Sequence, residues 1–407
     1  MSKKSPQLRF EGFTDDWEER KLKELGDIQT GNTPPTSDSD NYSLDGVLWV
    51  TPTDIKSLVI SNTAKKLSQV GVTKARIAKA GSILVTSIAS IGKNTLLRMD
   101  AGFNQQINSL TPTSENDSYF LLTQSEKWSE KMKQTAASAT MQIVNKTDFS
   151  NISTYVPVHK EEQEKIGSFF KQLDDTIALH QRKLDLLKEQ KKGYLQKMFP
   201  KNVAKVPELR FAGFADDWEE RKLSDVANHR GGTAIEKYFD KDGEYKVISI
   251  GSYGLNSQYV DQNIRAISNE ITDGRVVNSG ELTMVLNDKT ANGTIIGRTL
   301  LVEKDNEYVI NQRTEIISPK ENFDSNFAYT ILNGPFREKV KRIVQGGTQI
   351  YVNYPAVSNL NLELPKIEEQ QKIGSFFKQL DDTIALHQRK LDLLKEQKKG
   401  FLQKMFV

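Results

Sequence analysis

Apolar side chains recur in steps of four and three along one stretch of the chain, and that stretch occurs twice. Glu161 to Phe199 returns as Glu368 to Phe406, with Gln371 in place of Glu164 and Phe401 in place of Tyr194. In the first copy the steps fall on Ile166, Phe170, Leu173, Ile177, His180, Leu184, Leu187, Lys191, Tyr194 and Met198. In the second they include Ile373, Phe377, Leu380, Ile384, Leu391 and Leu394. This is the a/d seam of a coiled coil, interrupted only at His180 and Lys191 and at their counterparts. Between these positions stand mostly Lys, Asp, Gln and Glu, as suits a solvated helix surface. A helix from Ile166 to Met198 would be roughly 50 Å long. Two such helices in one chain can pair, and the pair is read as the spine of the molecule.

A shorter motif repeats as well. Pro6 to Leu22, PQLRFEGFTDDWEERKL, returns as Pro207 to Leu223, PELRFAGFADDWEERKL. Asp15 and Asp16 fit a helix N-terminus, with Trp17 and Leu22 facing inward. Phe10, Phe13 and Trp17, with Phe211, Phe214 and Trp218, are expected to pack rather than to bind a ligand.

The regions between the repeats, about Lys23 to Lys160 and Ser224 to Ile367, read as mixed strands and short helices. Strands are expected at Val47–Val50, Ser82–Thr86, Thr95–Arg98 and Ile107–Thr111 in the first. In the second they are expected at Lys246–Ile250, Glu281–Leu286, Thr294–Leu301 and Tyr308–Ile310. Lys127–Thr135 and Asn326–Val344 look helical, the latter broken at Gly334-Pro335. Weak echoes, such as Asn104-Gln105-Gln106 against Asn311-Gln312-Arg313, suggest one fold with two different surfaces. The chain is thus divided into a first domain (1–160), a first helix (161–199), a second domain (200–367) and a second helix (368–407).

Only about seven residues, Pro200 to Val206, link the first helix to the second short motif. Extended, they reach at most ~25 Å, too little to carry the chain back along a ~50 Å helix. The two helices are therefore expected to pair antiparallel, in an α+β fold with pseudo-two-fold symmetry. His180 and His387 then fall near the middle, where a polar seam residue specifies register.

Composition narrows the function. The 407 residues include 27% charged residues, a net charge of +3 and no cysteine. Disulfides and thiolate metal sites are excluded, and the redox setting fits a cytoplasmic protein. No apolar run approaches the ~20 residues of a membrane span, and the N-terminus has no apolar signal core. Four histidines, two of them the repeat pair, argue against a multi-histidine metal site.

The layout resembles the specificity subunit of type I restriction–modification enzymes. The residues that carry the resemblance are the two long repeats and the approaches to them, Pro157-Val158-His159-Lys160-Glu161-Glu162-Gln163 and Pro365-Lys366-Ile367-Glu368-Glu369-Gln370. It spans Pro6 to Phe406. It implies two target recognition domains, each reading one half of a split, asymmetric site on double-stranded DNA. It also implies that the helices act as a ruler for the unread spacer and dock two methyltransferase subunits, with motor–nuclease subunits completing the restriction complex. S-adenosylmethionine, ATP and Mg are expected in those partner subunits, with no cofactor or metal bound by this chain. The residues agree that the chain is not itself catalytic. Thr33-Pro34-Pro35-Thr36 lacks the flanking groups of an adenine-methyltransferase motif. Ile91-Gly92-Lys93-Asn94 lacks the first glycine and the hydroxyl of a phosphate loop, and Asp54-Ile55-Lys56 lacks a second carboxylate for a nuclease. A reading of a different class, a cytosolic coiled-coil scaffold whose domains bind other proteins, stays open on sequence alone.

Base edges are read by Arg, Lys, Asn and Gln, and phosphates are held by Lys, Arg, Ser, Thr and backbone amides. On that chemistry the DNA-contact candidates in the first domain are Thr53, Lys56, Lys74, Arg76, Ser90, Lys93, Gln105, Gln106, Thr140 and Gln142. In the second they are Ser252, Tyr253, Lys289, Asn292, Gln312, Arg313, Thr348, Gln349 and Tyr351. Basic and acidic residues roughly balance within each domain, so no basic stripe marks the interface.

Overall fold

The computed structural model describes residues 4–137, 143–201, 204–289 and 291–407. The two heptad stretches form the helices Lys160–Lys197 and Ile367–Lys404, each 38 residues long. The chain divides into two compact units: one comprises Met1–Gln181 with Arg389–Val407, the other Arg182–Gln388. Each long helix thus gives its first half to one unit and its second half to the other, and the change falls one residue beyond His180 and His387.

In the first unit, a sheet in the order Gly26–Thr30, Ile107–Pro112, Ile83–Thr86, Asn94–Leu97, Val59–Ile60 lies beside a second sheet of Tyr42–Ser43, Lys65–Leu67, Val47–Val50, Ala101–Phe103 and Ile77–Ala78. The second unit repeats the plan with two four-stranded sheets. One runs Ala227–Gly231, Thr314–Pro319, Leu282–Val285, Thr299–Leu301; the other runs Arg265–Ala266, Tyr245–Ile248, Tyr308–Ile310, Val276–Val277. It adds a three-stranded sheet of Asn287–Asp288, Ile350–Tyr351 and Gln345–Gly346. The helix Ser118–Ala137 and its counterpart, Ser325–Asn333 followed by Pro335–Lys341, cover one face. The break at Gly334-Pro335 is where the sequence places it, because proline supplies no N–H to continue the helix.

One expectation fails. No helix starts at Asp15 and Asp16; Glu18–Lys21 is a strand pairing antiparallel with Ser153–Val156, and Glu219–Lys222 pairs likewise with Asn361–Leu364. A ladder available from the end of the domain outcompetes the local helix signal, and the helical turn Leu22–Leu25 begins only beyond it. Thr294–Leu301 also narrows, to a strand at Thr299–Leu301.

The approach to each long helix can be decoded residue by residue. Glu162, completely buried, accepts two hydrogen bonds from Arg9, Nε to Oε1 at 2.7 Å and Nη2 to Oε2 at 2.8 Å. Glu369 repeats this with Arg210 at 2.7 and 2.8 Å. Buried carboxylates persist only when paired in this way. Gln163 accepts from the Asp117 amide, and Gln370 accepts from the Asp324 amide, both at 3.1 Å. Each amide side chain so anchors the start of the domain helix, where Asp117 and Asp324 accept from the Phe120 and Phe327 amides. Gly167 and Gly374 permit this approach: a Cβ on Gly167 would stand 2.1 Å from Asp117 Oδ1, and one on Gly374 2.6 Å from the Phe327 nitrogen.

The core of the first unit gathers Trp17, Phe120, Ile166 and Phe170 with Met405 and Phe406 from the end of the second helix. The core of the second gathers Trp218, Phe327, Ile373 and Phe377 with Met198 and Phe199 from the end of the first. The start of one long helix therefore packs with the end of the other in each unit, which makes the pair antiparallel. The short motifs follow suit: the Leu209 amide donates to the Lys197 carbonyl, and the Leu8 amide donates to the Lys404 carbonyl, both at 2.8 Å. Phe10, Trp17, Phe211 and Trp218 pack into these cores, while Phe13 and Phe214 lie under the ammonium groups of Lys165 and Lys372.

Candidate nucleic-acid interface and spine

Three segments converge in the second unit. The Leu286 amide donates to the Arg313 carbonyl at 3.0 Å, and the Val352 amide donates to the Leu286 carbonyl at 2.9 Å. These bonds bring together 311–313, the loop following Leu286 and the hairpin 345–351. Asn287 and Asp288 then pair with Tyr351 and Ile350. The side chain of Asp288 accepts from the Ile295 amide at 2.8 Å and so curls the loop back. Arg337 clamps it from beneath, donating to the carbonyls of Ile296, Gly293 and Thr294 at 2.9, 3.1 and 2.8 Å. Burial lowers its pKa to about 10, with Arg298 adding repulsion. On this platform Lys289, Asn292, Gln312, Arg313, Thr348, Gln349 and Tyr351 are all exposed. Gln312 also donates to Glu236 at 2.9 Å.

The first unit uses the same joints. The Ser87 amide donates to the Gln106 carbonyl at 2.8 Å, the Val144 amide donates to the Ser87 carbonyl at 3.0 Å, and Ile88 bridges to Ile143. Segments 104–106, 87–94 and 143–144 meet as their counterparts do. Lys56 and Lys93, far apart in sequence, line one open groove of about 560 Å³ with Asn94, Ser129, Lys133 and two glutamates, Glu126 and Glu130. Ala89 in the first unit and Arg313 in the second hold φ of 62° and 66°, a backbone region that non-glycine residues adopt at a cost of ~1–3 kcal/mol and that clusters at functional loops.

Other sequence candidates find different places. Ser252 and Tyr253 are 0% and 3% exposed, with Tyr253 donating to Thr283 in the core at 2.9 Å, so burial removes both from the interface. Lys74 is engaged by Asp38 and Asn41 at 3.1 and 2.8 Å. Arg76 donates to the Thr30 carbonyl, and Gln105 accepts from Thr33. Thr53 is exposed, and Ser90 is half-buried. Thr140 and Gln142 lie outside the described residues.

Along the spine, Ile166, Phe170, Leu184, Leu187, Ile373, Phe377 and Leu391 are buried, while Leu173, Ile177, Leu380, Ile384 and Leu394 are half-buried. Lys191, read in sequence as an interruption, donates to Asp381 of the other helix at 2.5 Å. Its counterpart Lys398 meets Asp174 at 2.7 Å, and Tyr119 donates to the same aspartate at 3.1 Å. Burial raises the Asp381 carboxyl, and Lys191 pulls it back down. These repeated cross-helix pairs favour one register; His180 and His387, expected from sequence to do the same, are half-buried. Four leucines face outward: Leu179, Leu186, Leu386 and Leu393 are 61%, 53%, 63% and 58% exposed. Among the described residues, no helix is long and apolar enough to cross a membrane.

Comparison with known proteins agrees with this geometry. The model of the type I restriction modification DNA specificity domain matches twice, over residues 14–189 and 215–396. The MjaIX specificity subunit of Methanocaldococcus jannaschii is 22% identical over 411 residues, covering 96% of this chain and 92% of its own length. The MjaVIII specificity subunit of the same organism is 25% identical over 273 residues, and that match spans 64% of this chain and 62% of the relative. In structure, the crystallised S subunit of a type I system from M. genitalium superposes with a TM-score of 0.68 at 13% identity, covering 99% of both chains. A chain from work on complex assembly and conformational transition of the type I system gives 0.50 at 15% identity, covering 97% of this chain and 98% of its own. With two specificity domains filling most of its length on a shared spine, the chain belongs to the family of type I restriction–modification DNA specificity subunits.

Proposed function

We propose that each unit reads one half of a split, asymmetric DNA sequence, that the spine sets the length of the unread spacer, and that its outer faces seat two copies of one methyltransferase subunit. The observation that carries this is internal. The same backbone joints bring the same three segments together in both units, yet apart from the echo of Asn104-Gln105-Gln106 in Asn311-Gln312-Arg313 the side chains they present differ. The helices beneath differ at only two of 39 aligned positions. A scaffold held constant under divergent surfaces is what two readings of different sequences require. Two identical helical faces, each with exposed leucines, match two copies of one partner; large apolar side chains left in water on such faces mark association surfaces. Methyl transfer from S-adenosylmethionine, and any ATP- and Mg-dependent cleavage by motor–nuclease subunits, belong to the partners. This chain supplies the address.

The interface of the second unit is tested by Arg313→Ala and Tyr351→Ala in the chain assembled with its partner subunits. Methylation of duplexes altered in one half of the site is expected to rise about 5- to 150-fold relative to the cognate duplex, the discrimination carried by one good base contact. Discrimination in the other half stays unchanged. Equal relaxation of both halves by either variant contradicts the assignment of one half to each unit.

A further inference from the structure

Adjoining the platform of the second unit lies a side-chain cluster that neither sequence motifs nor the family match singles out. His229 donates from Nδ1 to Oε1 of Glu315 at 2.6 Å; the Glu315 side chain is only 8% exposed, while the His229 side chain is 52% exposed. The imidazole lies against the ring of Tyr354, with centroids 4.5 Å apart and planes at 35°. Since a carboxylate accepts, Nδ1 carries the proton, and the ring is held in one orientation with its Nε2 edge on the opposite side. Glu315 stands two residues beyond Arg313, and Tyr354 three beyond Tyr351. The Gly232 amide, at the end of the strand that carries His229, donates to the Thr314 carbonyl at 2.9 Å. The cluster is thus built into the joint of the interface.

The sister unit shows what a purely structural solution looks like. The strands Gly26–Thr30 and Ala227–Gly231 begin on equivalent partners, Pro112 and Pro319, and keep the same register. Ile28 therefore stands where His229 does, and Asn108 stands where Glu315 does. Ile28 is 4% exposed and Asn108 is 1% exposed, the latter accepting from Thr30 at 2.6 Å and donating to the Val144 carbonyl at 3.2 Å. The fold needs only an apolar side chain and a satisfied amide here. The second unit instead buries a carboxylate, which burial pushes up and His229 holds down, and leaves an oriented imidazole in solvent.

We propose that His229, locked by Glu315 and Tyr354, presents Nε2 to a base edge in the half-site bound by the second unit and is a specificity-determining residue. This rests on the reading of that unit as a DNA-recognition domain. A base edge, rather than a phosphate, is the partner because the adjoining Glu315 carboxylate opposes approach of a phosphate anion. A single oriented nitrogen on a stacked ring also suits directional hydrogen bonding better than charge neutralisation.

The test uses the full chain assembled with its partner subunits and a panel of duplexes bearing every single base-pair change in the mapped site. His229→Ala is expected to relax discrimination about 5- to 150-fold at one position of the second-unit half, leaving the other half unaltered. Glu315→Ala, which frees the ring, is expected to relax the same position to a lesser degree. His229→Gln, if it restores a polar contact, changes the preferred base at that position and no other. Uniform weakening across all duplexes with a reduced salt dependence would identify a phosphate contact and overturn the proposal. An unchanged profile for His229→Ala, while Tyr351→Ala relaxes the half-site, overturns the role of His229 and leaves the interface standing. Unchanged profiles for both remove the interface and the proposal together.

Discussion

Glu369→Ala is expected to destabilise the second unit by about 3–5 kcal/mol, because it strips the largely buried Arg210 guanidinium of its bidentate partner. The cost is not that of a surface ion pair, which is worth about 0–1 kcal/mol. Glu369 is 1% exposed, and the guanidinium left behind is 14% exposed, so water restores little of what is lost. For a unit of this size, Arg182–Gln388, the loss corresponds to a fall in Tm of about 6–20 °C in calorimetry. Exchanging the neighbouring Glu368, which is exposed, for alanine should stay within about 0.5 kcal/mol. Glu162→Ala should repeat the effect on the first unit through Arg9. A loss below 1 kcal/mol at Glu369 would mean that the short motif is not anchored to the helix by this pair.

Adding seven residues in heptad phase to both long helices, after Gln181 and after Gln388, is expected to lengthen the unread spacer by about three base pairs. Seven helical residues add ~10 Å, and base pairs are stacked ~3.4 Å apart. Paired insertions keep the Lys191–Asp381 and Lys398–Asp174 contacts on either side of the inserted turns. The same insertion in one helix alone slides one of these pairs out of register, leaves its aspartate and lysine unmatched, and should abolish specific methylation. A methylated motif with its original spacer and full modification in the doubly extended chain would show that the helices do not measure the spacer.

The spine was legible in sequence because a heptad seam is a local pattern that tertiary packing exploits rather than opposes, and because seven linking residues left one economical pairing. The interruption at Lys191 was visible too, but its meaning was not. Its partner Asp381 lies 190 residues away, and no local rule joins them. The strand Glu18–Lys21 is hidden for the same reason: Asp15 and Asp16 before Trp17 look like a helix start until Ser153–Val156 arrives to pair. Loop residues chosen by chemistry fared unevenly. Arg313 and Tyr351 reached one exposed platform, whereas Ser252 and Tyr253 went into the core, since polarity near a turn does not reveal which side of the sheet a side chain takes. Arg337 gave a weaker signal still. It reads as an ordinary charge on a helix, and only its three carbonyl partners show that it holds the loop bearing Lys289 and Asn292. The coarse function was readable from the duplication itself, the interface only from the joints between segments.

The division of labour between the units is tested most directly by exchanging the block Lys23 to Lys160 for that of another specificity subunit with a known target. Methylated sites are then mapped across the genome of cells that carry the partner subunits. The account predicts a motif changed in one half only, with the other half and the spacer length preserved. A motif unchanged in both halves, or altered in both, would contradict it.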